Sequence, residues 1–177
     1  GPDSVGSYVK GAVGLIQTRL AIIDVAGGGH PLYGPGGSAL VGNGEIYNYI
    51  ELRKEQAGRV NYRTNSDFEP TLSMLEGDGL AALDQLRGMY ALALHRPWKD
   101  DVLLARDPFG IKPLYFADDG RTLRFASQVK ALVAGGAVDT TPRPAAEAGF
   151  LLWGSVPEPF TLYRGIRALA AGHTMWQ

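Results

Sequence analysis

The chain has 177 residues, of which 45% are hydrophobic and 20% are charged, and 17 Lys and Arg against 18 Asp and Glu give a formal net charge of -1. It contains no cysteine, which excludes disulfide bonds, thiolate metal sites and a catalytic thiol within these residues. The charge balance gives no electrostatic case for nucleic-acid binding, no stretch reaches the roughly 20 apolar residues of a membrane-spanning helix, and no signal-peptide pattern opens the chain. We therefore expect a cytoplasmic protein that binds neither nucleic acid nor membrane.

Glycine and proline separate short apolar runs, as tight turns between strands require. The first run, 12–24, ends near the β-branched pair Ile22 and Ile23 and predicts a strand with a break near Thr18. A second strand is predicted over 38–43.

The pattern then changes to helical spacing. Two pairs in which Asn or Ser is followed by Glu three residues later have the spacing of a capping box, which marks the start of a helix. They predict helices over 48–56, beginning at Asn48, and over 66–77, beginning at Ser66. A shorter helix is expected over 80–87.

The second half of the chain has shorter apolar runs, which predict an antiparallel sheet. Helices are expected over 127–133 and over 141–152, where Thr141 and Pro142 have the residue types of an N-cap and a first turn. The tail, 154–177, has little periodicity. The pattern indicates an α+β architecture, with the later strands at 89–94, 102–105, 114–116 and 122–125.

Arg19 stands within an otherwise apolar segment, where a buried guanidinium needs a partner. Asp24 or another acid could neutralise it in a purely structural role. Alternatively, Arg19 could hold an anionic ligand such as a carboxylate. The residues alone leave both readings open.

Two further clusters lie at the starts of the predicted helices. Asn43 and Gly44 can form a simple turn, since both tolerate positive φ, or an oxyanion site made by the asparagine amide and the glycine N–H. Asp67 can favour the dipole of its helix or receive a substrate ammonium.

The segment 104–115 contains two prolines, a glycine and three charged residues. It is expected to be a rigid connection whose charges pair with one another or with a partner domain. His30, His95 and His173 are far apart and lack metal-ligand spacing, so we expect them to have surface or core roles.

Taken together and in this order, the clusters resemble the glutaminase (class II glutamine amidotransferase) domain of the asparagine synthetase family. The resemblance extends over nearly the whole chain and includes several long motifs. The first is G-P-D at 1–3, which is similar to the end of the family's H-R-G-P-D motif. The others are R-L-A-I-I-D at 19–24, N-G-E-I-Y-N at 43–48, N-S-D-F-E at 65–69 and A-R-D-P-F-G-I-K-P-L-Y at 105–115.

The resemblance implies an α+β fold, namely the four-layer αββα sandwich of the N-terminal-nucleophile hydrolases, incomplete here at its N terminus. It implies a truncated amidotransferase domain over 1–153 and a connecting segment over 154–177 toward an absent ATP-dependent synthetase domain of the same protein. ATP and Mg²⁺ are expected in that absent domain, with no cofactor and no metal in this one. The oligomeric state stays open, a homodimer included.

The resemblance also implies a binding site for L-glutamine. Arg19 would hold the α-carboxylate, since a guanidinium offers it a bidentate match. Asp67 would take the α-ammonium with Glu45 nearby, and Asn43 and Gly44 would form the oxyanion hole. Backbone and wall contacts would come from Leu20, Ile22 and Ile23.

The chain departs from the family at the nucleophile. In the family this is a cysteine at the mature N terminus, activated by its own α-amine, and this chain has no cysteine. The leading hypothesis is an incomplete chain of a glutamine-dependent asparagine synthetase, without glutaminase activity as it stands. One alternative is a non-catalytic amidotransferase-like domain with a binding or scaffolding role, as in β-lactam synthetases. Another is an active synthetase whose acceptor is not free aspartate.

Overall fold

The computed structural model describes residues 4–19 and 29–177, with Arg19 described by its backbone. The predicted wall residues Leu20, Ile22 and Ile23 therefore lie outside the described residues, as does the end of the predicted strand 12–24. Among the helices that the structure describes, none has the length and apolar character needed to cross a membrane.

The elements form a mixed α and β fold. The helices are α1 (Tyr49–Glu55), α2 (Phe68–Gly77), α3 (Val129–Gly135) and α4 (Pro144–Trp153), and a 3-10 helix (Gly79–Gln85) follows α2. The strands are β1 (Ser4–Lys10), β2 (Val13–Arg19), β3 (Leu32–Tyr33), β4 (Ala39–Ile46), β5 (Gly88–Arg96), β6 (Asp101–Arg106), β7 (Tyr115–Asp118), β8 (Leu123–Ala126), β9 (Arg167–Ala168) and β10 (Thr174–Trp176). The pairings β1–β2, β3–β4, β4–β5, β7–β8 and β7–β9 are antiparallel, which confirms the predicted antiparallel sheet content.

Strands β1 and β2 form a two-stranded hairpin sheet. Alternate β2 side chains face inward and outward, so Leu15 is 2% exposed and its neighbour Ile16 is 73% exposed. The predicted break at Thr18 is wrong, because Thr18 pairs with Val5 within a continuous ladder.

The larger sheet has the strand order β10-β6-β5-β4-β3. Its centre is apolar because inward-facing leucines of three neighbouring strands are almost fully buried, among them Leu40, Leu92 and Leu103. Strand β4 extends to Ile46, three residues beyond the predicted strand 38–43. This extension places the N-G-E segment within β4.

The chain divides into two compact units between Leu104 and Ala105, with Trp176 in the first unit. In the second unit the sheet β8-β7-β9 has a small core of Ala117, Leu132 and Ile166. Helix α4 ends at Gly154, whose φ of 72° suits glycine. The predicted domain boundary between residues 153 and 154 coincides with this helix end and stays a prediction.

Neither predicted capping box forms in full, although the helices exist and Ser66 Oγ accepts from the N–H of Phe68 at 3.3 Å. Asn48 does not cap α1 with its side chain; its amide donates to Gln85 O and its Oδ1 accepts from Arg87 N–H, both at 2.9 Å. Glu69 accepts from the backbone N–H groups of Arg63 and Thr64 instead of reaching back to Ser66. The two side chains hold neighbouring loops instead of the helix starts.

Two other helix predictions need correction. Helix α4 begins at Pro144, not Thr141, because Pro142 forms an isolated β-bridge with Tyr163. The segment predicted as a short α-helix over 80–87 is instead the 3-10 helix Gly79–Gln85.

His95 in β5 is 2% exposed, and its Nδ1 lies 2.8 Å from the Tyr8 hydroxyl. Burial lowers the pKa of His95 from its usual value near 6.5, and Lys10 lowers it further, against the opposing effect of Asp100 and Asp101. The unfolded chain therefore takes up this proton at a higher pH than the folded chain does. We expect the contribution of neutral His95 to the free energy of unfolding to be complete above about pH 6.5 and to be lost progressively as the pH falls below it.

Urea unfolding at pH 7.5 and pH 5 checks this prediction. His95→Gln should reduce the loss of stability between the two pH values, because a neutral amide replaces the imidazole. The matched control is His173→Gln, an exposed histidine, which should keep the wild-type difference. An unchanged difference in His95→Gln would contradict the assignment.

Candidate functional site

Asn43 and Gly44 lie in β4 and pair in register with Ala91 and Tyr90 of β5. The backbone at Gly44 has a φ of 141°, a conformation that residues other than glycine rarely adopt. A Cβ added there would also overlap the backbone oxygen of Met89. The strand thus requires glycine at this position, while the Asn43 side chain is exposed.

Gly44→Ala should destabilise the protein by roughly 1–3 kcal/mol from the backbone conformation alone, with a further loss from the overlap. Gly58→Ala is the matched control, because Gly58 also has a positive φ, 79°, but open space around it. Urea unfolding should show the larger loss for Gly44→Ala. Equal losses would mean that the Met89 contact has no effect.

Asp67 precedes α2 and is 6% exposed. Its side chain makes no capping hydrogen bond to the helix; instead its Oδ2 accepts from the backbone N–H of Ile46 at 2.8 Å. The carboxylate is therefore held against β4, two residues from Gly44. Of the two roles left open for Asp67, the one at the dipole of its helix does not account for this contact.

Helix α2 approaches β4 closely at a second point. Phe68 follows Asp67 directly, and a Cβ added at Gly42 would overlap the Phe68 ring. Phe68 is buried, as is Gly42. Glycine at this position therefore lets the start of α2 approach β4 closely, with Asp67 just before it.

Gln17 of β2 makes a pair of hydrogen bonds to the same strand. Its Nε2 donates to Gly42 O at 2.6 Å, and its Oε1 accepts from Gly42 N–H at 2.9 Å. Gln17 was not among the predicted site residues. The available signal was its position, because a polar residue follows Val13 and Leu15 on the inward-facing side of β2.

The structure thus brings together four of the predicted site residues: Asn43, Gly44 and Glu45 on β4, and Asp67 beside it. Glu45 is half-buried. Arg19 ends β2, and its backbone pairs with Ser4. The roles predicted for all these residues in binding glutamine stay predictions.

The charged residues of segment 104–115 mostly serve the second unit. The Arg106 guanidinium donates to both carboxylate oxygens of Glu158, at 2.8 and 2.9 Å. It also donates to the backbone oxygens of Gly110, Lys112 and Leu169. The segment's charges were predicted to pair with one another or with a partner domain. Arg106 does neither in full, since its partner Glu158 lies in the same chain but outside the segment.

Asp107 holds the loop that follows Arg106. Its Oδ1 accepts from the N–H groups of Phe109 and Ile111, and its Oδ2 accepts from Lys112 N–H, all at 3.0 Å. The predicted rigidity of this connection thus has a physical basis.

Within residues 4–19 and 29–177, no group of three or more His, Asp or Glu side chains is arranged to hold a metal ion.

Comparisons with known proteins show the family of the chain. The model of the family described as "Glutamine amidotransferase domain" matches residues 1–177. Asparagine synthetase B [glutamine-hydrolyzing] of Escherichia coli is 43% identical over 75% of this chain and 24% of its own length. Asparagine synthetase [glutamine-hydrolyzing] 1 of Bacillus subtilis is 39% identical over 97% of this chain and 27% of its own length. The chain therefore spans about a quarter of the length of these relatives.

Two solved structures share the fold. A structure titled as the allosteric regulatory enzyme of purine biosynthesis has a TM-score of 0.55 at 25% identity, over 68% of this chain and 29% of its own. The glutamine phosphoribosylpyrophosphate amidotransferase of B. subtilis has a TM-score of 0.51 at 25% identity, over 59% of this chain and 25% of its own.

Proposed function

The chain belongs to the glutamine amidotransferase domain family, and from this membership we propose that it forms the glutamine-binding part of an asparagine-synthetase-like enzyme. In the whole enzyme, glutamine hydrolysis supplies ammonia for the ATP-dependent amidation of aspartate or a related carboxylate. ATP and Mg²⁺ act in the synthetase domain, and this domain needs no cofactor. The partners are L-glutamine and the C-terminal synthetase domain of the same protein.

The observation that carries the proposal is the hydrogen bond between Asp67 Oδ2 and Ile46 N–H. It holds a buried carboxylate beside the Asn43 and Gly44 segment, as a zwitterionic amino-acid amide requires. We assign the α-ammonium to Asp67 with Glu45 nearby, and the α-carboxylate to Arg19. Wall contacts are assigned to Leu20, Ile22 and Ile23.

Asn43 and Gly44 are assigned to the charge that develops on the amide oxygen during hydrolysis. A thiolate adds to the amide carbon, and the carbonyl electron pair moves onto oxygen, where the Asn43 amide and the Gly44 N–H stabilise it. The amide nitrogen leaves as ammonia after taking a proton, and water then cleaves the thioester to glutamate. The thiol must come from outside these 177 residues, which contain no cysteine.

The finer fold assignment belongs to the same proposal. The sheets and helices of this chain are assigned to part of an αββα sandwich of the N-terminal-nucleophile hydrolase type. Its support is the likeness to the two solved structures and the antiparallel pairing within each sheet.

Calorimetric titration with L-glutamine tests the binding role. Arg19→Ala should abolish binding while the protein still melts cooperatively. Arg59→Ala, which removes an exposed arginine beyond α1, should bind as the wild type does. Equal binding by all three proteins would overturn the assignment of Arg19, and a loss of cooperative melting in Arg19→Ala would make it a structural residue.

The same chain incubated with L-glutamine should release no glutamate. Turnover by this polypeptide alone would overturn the proposed need for an external thiol.

One observation, the lack of cysteine, favours a second candidate. This is a non-catalytic amidotransferase-like domain with a binding or scaffolding role. The residue encoded after the initiator methionine separates the two, because cysteine there favours the enzyme and any other residue favours the inactive domain.

A further inference from the structure

We propose that Gln17 is a positioning residue that sets the Asn43 and Gly44 backbone for the charge that develops on the substrate amide oxygen. The inference rests on the proposed function, because it assigns Gln17 to the same site. Gln17 does not touch the reacting atoms. It acts through Gly42, the residue before Asn43.

The contact between Gln17 and Gly42 is complementary. A primary amide offers one donor and one acceptor side by side, and here each pairs with one backbone group of Gly42, at 2.6 and 2.9 Å. The side chain thus replaces the backbone of a neighbouring strand at this position. Because two hydrogen bonds reach one residue, they fix both the rotation of β4 at Gly42 and its distance from Gln17.

The position of this contact along β4 gives it a role in the site. Strand β3 pairs with Ala39 and Leu40 of β4. In an antiparallel ladder alternate residues direct their backbone groups to the same edge, so Leu40, Gly42, Gly44 and Ile46 share one edge. Gln17 binds Gly42 and Asp67 binds Ile46. Gly44 lies between these two side-chain contacts.

Both contacts come from segments assigned to the substrate. Gln17 lies two residues before Arg19 in the same strand, and Asp67 is itself assigned to the ammonium. The spacing between the groups that hold the substrate's α-substituents and the oxyanion donors is therefore set by these two side chains. A displacement of about 1 Å in such a geometry can cost about 100-fold in rate.

Gln17→Leu in the full-length protein removes both hydrogen bonds at nearly constant volume. We expect the kcat of glutamine hydrolysis to fall roughly 10- to 100-fold, and the Kd for L-glutamine to stay within about threefold, because the groups that bind its α-substituents are retained. Gln17→Glu keeps an acceptor for Gly42 N–H but places a carboxylate oxygen against Gly42 O, where Nε2 donates in the wild type, so its kcat should fall as well. Amide hydrogen exchange at Gly42 should become faster in Gln17→Leu.

Gln56→Leu is the matched control. Gln56 is also half-buried and also donates to a backbone oxygen, that of Leu52, but it lies at the end of α1. It should keep the wild-type kcat and the wild-type exchange at Gly42.

A wild-type kcat in Gln17→Leu would overturn the inference, as would a joint loss of binding, turnover and cooperative melting. If the wild-type full-length protein hydrolyses no glutamine, the proposed hydrolysis fails instead. Amide exchange at Gly42 in Gln17→Leu then tests the role of Gln17. An unchanged exchange rate would mean that Gln17 does not hold Gly42 in place, and a faster rate would mean that it does.

Discussion

Asp67→Asn should weaken the binding of L-glutamine at least about 30-fold, with little effect on the fold. The asparagine Oδ1 can still accept the hydrogen bond from Ile46 N–H, which Asp67 Oδ2 accepts at 2.8 Å in the wild type. The negative charge assigned to the substrate ammonium is lost. Removing one partner of a buried charge pair costs about 2–5 kcal/mol, and each 1.4 kcal/mol is about tenfold in Kd.

Calorimetric titration with L-glutamine measures the effect, and thermal melting checks the fold. Asp84→Asn is a matched control, since Asp84 is an exposed carboxylate in the 3-10 helix, and its Kd should not change. If Asp67→Asn binds glutamine as the wild type does, the ammonium is held elsewhere. If it no longer melts cooperatively, Asp67 belongs to the fold.

Arg106→Leu should reduce the free energy of unfolding by about 3–5 kcal/mol. The Arg106 side chain is 4% exposed, and its guanidinium donates to three backbone oxygens and to the Glu158 carboxylate. Leucine fills much of the space but donates nothing. Buried oxygens left without a donor account for most of the expected loss.

The partner of Arg106 should matter much less. The Glu158 side chain is 48% exposed, so water can replace much of what Glu158→Gln removes, and the loss should stay below about 1 kcal/mol. Urea unfolding of both variants measures the asymmetry. Equal losses would mean that the ion pair, and not the backbone oxygens, accounts for the contribution of Arg106.

Much of the sheet content could be predicted because strand signals are local. Alternating or continuous apolar runs bounded by glycine or charged turns gave the positions of β5 through β8 to within a few residues. The unbroken pairing of Thr18 with Val5 was missed because strand continuity depends on the partner strand, which no local pattern contains.

The helix starts show where local rules fail. Asn48 and Glu69 have the spacing of capping boxes, but each binds backbone groups of a nearby loop instead. The competing partners of Asn48 lie 37 and 39 residues away. A spacing rule can name the side chains that bond to backbone, but it cannot choose which backbone they reach.

The site was predicted in part. The motifs supplied Asn43, Gly44 and Asp67, and the structure shows that α2 and β4 meet at those residues. Gln17 could not be predicted because its side chain contacts a strand of another sheet, and no local pattern contains the proximity of two sheets. Its position on the inward-facing side of β2 became meaningful once Gly42 was found opposite it.

The edge of β4 at Gly42 and Ile46 also bears on strand addition by another chain. An uncovered strand edge offers N–H and C=O groups to which another chain can add a strand. Here Gln17 binds both backbone groups of Gly42, and Asp67 binds the N–H of Ile46, so an incoming strand would have to displace them. We therefore expect substitutions of Gln17 or Asp67 to open this edge to strand addition by another chain, in addition to their effect on the site.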